Sequence, residues 1–207
     1  TENMIKNIFS KISDESFFLY DGNTIDMNND FKILDFKKSI KKYANIDIDK
    51  MTQKDLMKFI KKEKIKISKN ENYGNLLDKV FSYFVEPQLI NPTFINNYPI
   101  ELSPLAKKIS NDSNIVGRFE LFIRGMEIAN AFTELNDPID QFERLEAQSQ
   151  LRDLGDEEAQ IVDHDFIKAM KVGMPPTGGV GIGIDRLTML FTSNKSIKDV
   201  ILFPAMR

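Results

Sequence analysis

The chain has no cysteine, no tryptophan and a single histidine, His164. Without thiols there is no disulfide, no thiolate metal site and no cysteine nucleophile. One imidazole alone cannot build a zinc site. Any chemistry therefore falls to oxygen and nitrogen groups. The lack of cysteine fits a reducing cytoplasm, where disulfides are rare. Long apolar runs are missing too: no stretch suits a bilayer span, and no signal-peptide pattern opens the chain. Nor is there an excess of positive charge. Lys and Arg number 28 against 31 Asp and Glu, a net charge of -3, so bulk electrostatics do not announce a nucleic-acid binder.

What remains is an ordinary soluble composition, 42% apolar and 29% charged, over 207 residues, enough for one domain or most of one. Lysine runs occur at 37–42 (KKSIKK) and 61–66 (KKEKIK). Such runs are ordinarily the solvated face of a helix.

The pattern along the chain mixes helices and strands. IKNIFSKI at 5–12 reads as a short amphipathic helix. Short strands are expected at 16–20 and 31–34, around turn-rich Asp21-Gly22-Asn23 and Asn28-Asn29-Asp30. Phe36, Ile40 and Tyr43 have helical spacing. Thr52 with Asp55 resembles a capping arrangement ahead of Leu56, Phe59 and Ile60. Gly74 is expected to precede a helix carrying Leu76, Leu77, Val80, Phe81 and Phe84, which Pro87 stops. Residues 36–88 thus form a mainly helical segment, read as an insertion or subdomain. Recurrent prolines between Asn91 and Pro104 favour short extended pieces over helix. Asn136-Asp137-Pro138 caps a helix that Gly155 can end, and a shorter helix ends at Gly173. The last expected elements are a strand at 180–184 and a helix from about Asp185. The fold class this implies is α+β, an antiparallel sheet with helices packed on it.

Two strand-like runs, RFELFI and MEIANAF, are joined at Arg124-Gly125. If these two residues make the turn, Phe122 pairs with Glu127 and Glu120 shares their face. Two carboxylates in an apolar sheet repel and are costly to desolvate. Bound Mg²⁺ would relieve that cost. Escape to solvent or pairing with arginine would relieve it as well. Asn130, Phe132 and Glu134 alternate, and together offer an amide, an aromatic wall and a counter-ion suited to an ammonium group. Glu134 could equally just end an edge strand. Strict alternation puts Glu127 on the opposite face from these three, so a common pocket requires a bulge or sharp twist near Ala129.

Gly178, Gly179, Gly181 and Gly183 make an approachable backbone ahead of Asp185-Arg186. A guanidinium there can stack on a base or clamp phosphate oxygens. No Gly-Lys-Ser/Thr follows, and the glycine spacing is wrong for a dinucleotide fingerprint. Tight strand packing under a helix is the plainer reading.

Taken together these segments resemble a known family. GVGIGIDRLTMLFT (179–192) resembles motif 3 of class II aminoacyl-tRNA synthetases. RFELFIRGMEIANAFTELNDPIDQFERLEAQ (118–148) resembles the lysine-specific segment of class II lysyl-tRNA synthetases. The PPTGG loop and the closing SIKDVILFPAMR also match, in that family's order, and PTFINNYPIELSPLAK extends the match upstream. The resemblance spans essentially 1–207 and is strongest from Leu89 onward. It implies the C-terminal portion of a class II catalytic domain, which activates lysine with ATP and transfers it to tRNA(Lys) in the cytoplasm, as a homodimer. By motif position, Glu120 and Glu127 look like the acidic pair that holds Mg²⁺ with ATP. Asn130, Phe132 and Glu134 look like the lysine pocket. Arg186 looks like the motif 3 arginine on ATP, with Gly181 and Gly183 allowing close backbone approach. Motif 1, motif 2 and the anticodon-binding barrel find no counterpart, so the chain is expected to be a fragment that forms no adenylate alone. Two other readings stay open: a paralogue that lysylates an elongation factor, and a noncatalytic module derived from a synthetase. In aspartyl- and asparaginyl-tRNA synthetases, relatives whose pocket takes a carboxylate or amide, a Glu134 counter-ion would repel aspartate.

Overall fold

The computed structural model describes residues 1–67, 71–110, 113–153 and 159–204. Its centre is a five-stranded sheet of β3 (Lys32–Asp35), β4 (Thr93–Asn96), β5 (Arg118–Ile123), β6 (Met126–Thr133) and β7 (Gly178–Ile182), in that spatial order. All neighbours pair antiparallel except β3 and β4, which run parallel. A separate hairpin joins β1 (Phe17–Tyr20) to β2 (Asn23–Asp26). Asp21 and Gly22 make the turn of this hairpin, and the strand that follows, Asn23–Asp26, takes in Asn23 from the expected turn and residues 24–26 that the sequence left unassigned. Met27 closes this hairpin by donating its N–H to Ser16 O at 2.9 Å.

Each face of the sheet has its own core. On one face, α1 (Glu2–Ile12), the β1–β2 hairpin and α7 (Ile184–Phe191) bury Ile5, Phe9, Leu187 and Leu190 against Leu121, Ile123 and Ala129. On the other, α2 (Phe36–Tyr43), α3 (Gln53–Lys62) and α4 (Tyr73–Phe84) pack Phe36, Leu56, Leu77 and Phe81 against Ile95, Tyr98 and Phe122. Phe36 and Phe81 stack with centroids 4.9 Å apart. α5 (Pro138–Asp153) and α6 (His164–Val172) make a smaller cluster around Leu145, Ile167 and Met170.

Local chemistry sets the helix ends. Thr52 and Asp55 form a reciprocal capping box at α3. Asp137 accepts from the Ile139 N–H ahead of α5, and Gly173 ends α6 with φ 132°. Gly74 lies inside α4 rather than before it: Asn72 is the cap, and a Cβ on Gly74 would stand 2.7 Å from Glu101 O. That close approach, not helix initiation, explains the glycine. The proline-rich stretch gives β4 and also one 3-10 turn, Ile100–Leu102. Gly155 and residues 205–207 of the closing motif lie outside the described residues. No helix among those described is long and apolar enough to cross a membrane.

Candidate functional site

The β5–β6 connection fixes what shares a face. Arg124 and Gly125 turn the chain with φ of 52° and 71°, between paired Ile123 and Met126. Such two-residue loops with positive φ match the twist of the strands they join. Next to the turn Phe122 pairs with Glu127, but Leu121 then pairs with Ala129. Ile128 is therefore one extra residue on β6. Ile128 and Ala129 both enter the α7-side core. A bulge of this kind exchanges the faces of all residues beyond it. Glu127 lies before it, while Asn130 and Phe132 lie beyond. All three consequently share the face of Arg118, Glu120 and Phe122.

β7 completes that surface. Asn130 pairs with Gly181 and Phe132 with Gly179. A Cβ on Gly179 would overlap Glu134 Oε1, so the Glu134 carboxylate lies across this glycine. A Cβ on Gly181 would meet nothing nearer than Asn130 O at 3.8 Å, so that glycine leaves open floor. Gly183 begins α7, and Arg186 lies against its bare Cα. From there Arg186 donates to Glu127 O at 2.8 Å and reaches Glu127 Oε2 at 3.4 Å.

Glu120 is the buried member of the acid pair, 9% exposed. The Tyr98 hydroxyl donates to its Oε2 at 2.6 Å, and Arg118 donates to its Oε1. Desolvation pushes the Glu120 carboxyl above the usual carboxylate range, and the Glu127 charge pushes the same way. Arg118 and Tyr98 oppose that rise. Tyr98 is pushed well above the ordinary phenol value, by burial first and then by Glu120. Glu86, bonded to Ser82, is also raised, mainly by desolvation, with Asp78, Glu120 and Glu127 adding to it.

This donor set fits a small hard cation. Two carboxylates share a face and the Glu127 charge weighs on Glu120, while each is paired with an arginine, Glu120 with Arg118 and Glu127 with Arg186. No group of three or more His, Cys, Asp or Glu among the described residues forms a metal cluster by itself. Mg²⁺ typically takes one or two carboxylates and completes its shell with substrate phosphates and water.

All eight residues singled out from sequence thus gather on or beside one sheet face: Glu120, Glu127, Asn130, Phe132, Glu134, Gly181, Gly183 and Arg186. A hollow of about 520 Å³ opens at the strand ends, lined by Arg118, Phe132 and Gly179 but also by Phe119, Ala131 and Val180 of the opposite face. Glu120, Glu127, Glu134 and Arg186 lie outside its lining. Two residues escaped the sequence reading. Arg118 stands two places before Glu120, so alternation alone would have put it on the same face. Tyr98 read only as part of a proline-rich loop, and nothing local signals its bond to Glu120.

Comparison with known proteins follows the same lines. A family model described as tRNA synthetases class II (D, K and N) matches residues 1–207. A lysine–tRNA ligase of Helicobacter hepaticus is 47% identical over 208 residues, covering 100% of this chain and 40% of that protein. One from Prochlorococcus marinus is 48% identical over 211 residues, again across 100% of this chain and 41% of its own length. One from Staphylococcus epidermidis is 47% identical over 208 residues, with 100% and 42% covered. The chain therefore spans about two fifths of the length of these curated relatives.

Proposed function

We propose, from the premise that this chain belongs to the class II tRNA synthetases (D, K and N), that it is the C-terminal portion of a lysine–tRNA ligase catalytic domain. The complete enzyme joins lysine to ATP, releases pyrophosphate, and transfers lysine from the adenylate to the terminal ribose of tRNA(Lys). It acts in the cytoplasm as a homodimer. Residues 36–88 form its helical insertion beside the site. The observation that carries the reading is the extra residue at Ile128, which gathers the acids, the amide and the aromatic wall on one face.

Each side chain has a role that its surroundings support. Glu134, lying across Gly179, is the counter-ion for the lysine ammonium, with Asn130 and Phe132 as the neighbouring amide and wall. Arg186 leaves Glu127 and clamps the nucleotide, and the open floor at Gly181 admits it. Glu120 and Glu127 would hold Mg²⁺, which would supply positive charge to offset that of the phosphates. No side-chain nucleophile is needed: the lysine carboxylate attacks the α-phosphorus and pyrophosphate leaves, so the protein's work is positioning.

The test is pyrophosphate exchange by the complete enzyme with lysine, aspartate and asparagine in turn. Exchange that depends on lysine alone is expected. Exchange driven by aspartate or asparagine would overturn the assignment, because Glu134 suits an amine and opposes a carboxylate. Glu134→Gln is expected to raise the lysine KM with the fold retained, and an unchanged KM and turnover would remove Glu134 from the pocket.

A further inference from the structure

We infer that Arg118 is a positioning residue that couples the acid pair to the amine pocket, one guanidinium setting Glu120, Asn130 and Phe132 together. The inference rests on the lysine–tRNA ligase reading above. Arg118 begins β5 and lies between the two halves of the site. Its Nη2 donates to Glu120 Oε1, and its Nε donates to Asn130 Oδ1 at 3.2 Å. Its Nη1 is anchored outside the site, on Leu102 O at 2.6 Å and Ser103 Oγ at 2.8 Å. The guanidinium carbon stands 4.5 Å from the Tyr98 ring centre and 5.6 Å from that of Phe132. Tyr98 itself holds the other oxygen of Glu120.

A planar fork is suited to this task. Its donors point in fixed directions, so anchoring Nη1 on the backbone and a hydroxyl fixes where Nε and Nη2 aim. Glu120 and Asn130 are then set by one rigid body, and the Phe132 ring rests against it. Displacing the guanidinium must disturb the metal-binding acid and the amine pocket in the same step. Lysine keeps the charge but offers a single point, so it cannot hold both partners at these angles. Arg118 touches no reacting atom in this scheme and acts through its three partners.

The test is direct titration calorimetry of Mg²⁺ and of lysine into the complete enzyme, beside lysine-dependent pyrophosphate exchange titrated with each, for wild type and Arg118→Lys. Loss of a partner that orients a metal ligand typically costs about 10–100-fold in metal affinity or activity. The half-saturating Mg²⁺ and the lysine KM of Arg118→Lys are both expected to rise by about tenfold or more. Added guanidinium ion is expected to lower both constants together in Arg118→Ala, which a purely structural role would not produce. Ser103→Ala trims one anchor and is the milder variant should Arg118→Lys fail to fold; about a twofold rise in both constants is expected, the size of one hydrogen bond. An active wild type whose folded variants shift only one constant, or neither, overturns the coupling and leaves the functional reading intact. A wild type without lysine-dependent exchange overturns the functional reading, and this inference with it.

Discussion

The helical layer and the hairpin face lie against each other and are held by different forces. α2, α3 and α4 cohere through apolar packing, with Phe36, Leu56, Leu76 and Phe81 almost wholly buried. The face of β5, β6 and β7 is held by Arg118, Tyr98, Glu120 and Asn130, a polar network in which every partner is specified. Apolar packing tolerates exchange of similar volumes, whereas a buried polar network fails when one member is removed. The helical layer should therefore reveal its losses as stability, and the hairpin face as ligand binding. Tyr98 joins the two, since its ring packs 4.9 Å from Phe36 and its hydroxyl holds Glu120.

The largest expected effect tests the apolar side. Phe81→Ala removes a ring stacked on Phe36 and packed against Phe122, and should cost about 3–5 kcal/mol in urea unfolding. A loss below about 1 kcal/mol would mean the layer collapses to fill the gap and is not the rigid support supposed. Gly179→Ala tests the polar side. The new Cβ would displace the Glu134 carboxylate, and losing one charged hydrogen bond is worth about tenfold in lysine KM. Normal lysine binding in that variant would place Glu134 outside the pocket. Smaller again, Thr52→Ala breaks the capping box of α3 and should cost about 1 kcal/mol without changing the lysine KM. A shift in lysine KM from that substitution would erase the proposed division of labour.

The same contrast governs how much the sequence disclosed. The stripes Leu56–Ile60 and Leu76–Phe84 were legible because burial repeats at helical spacing within one segment. β2 was not, since Asn23–Asp26 is four residues long with one buried side chain. The parallel β3–β4 pair joins Lys32 to Thr93 across a wide separation, and no local pattern encodes such a partner. At the site the glutamates and the alternating triad could be singled out from their spacing and Arg186 from its place at a helix start, but their roles came only with the family resemblance. The need for a bulge near Ala129 followed from parity alone, and the irregularity occurs at Ile128. Arg118 was missed although its parity matched that of Glu120. Tyr98 was beyond reach, because its role depends on a partner 22 residues away.

The smallest expected effect is a slope rather than a step, and it probes the carboxylate where the two regions meet. Burial raises Glu120, so the folded state holds its proton more tightly than the unfolded chain does. Linkage then requires stability to fall as pH rises, from the ordinary carboxylate range up through the raised value, with the full cost present above it. Arg118 and Tyr98 reduce the slope, while Glu127 steepens it. Glu86 is raised as well and contributes in the same sense, so the parent slope belongs to both acids. Urea unfolding of Glu120→Gln across this range should show a flatter profile than the parent, and Glu86→Gln should flatten it separately. If Glu120 holds Mg²⁺ as proposed, the ion needs the deprotonated acid, so the stability it adds should grow with pH in the parent and lose that growth in Glu120→Gln. If Mg²⁺ stabilised both proteins equally at every pH, Glu120 would have no part in holding the ion. The hairpin face would then owe its buried carboxylate to structure alone.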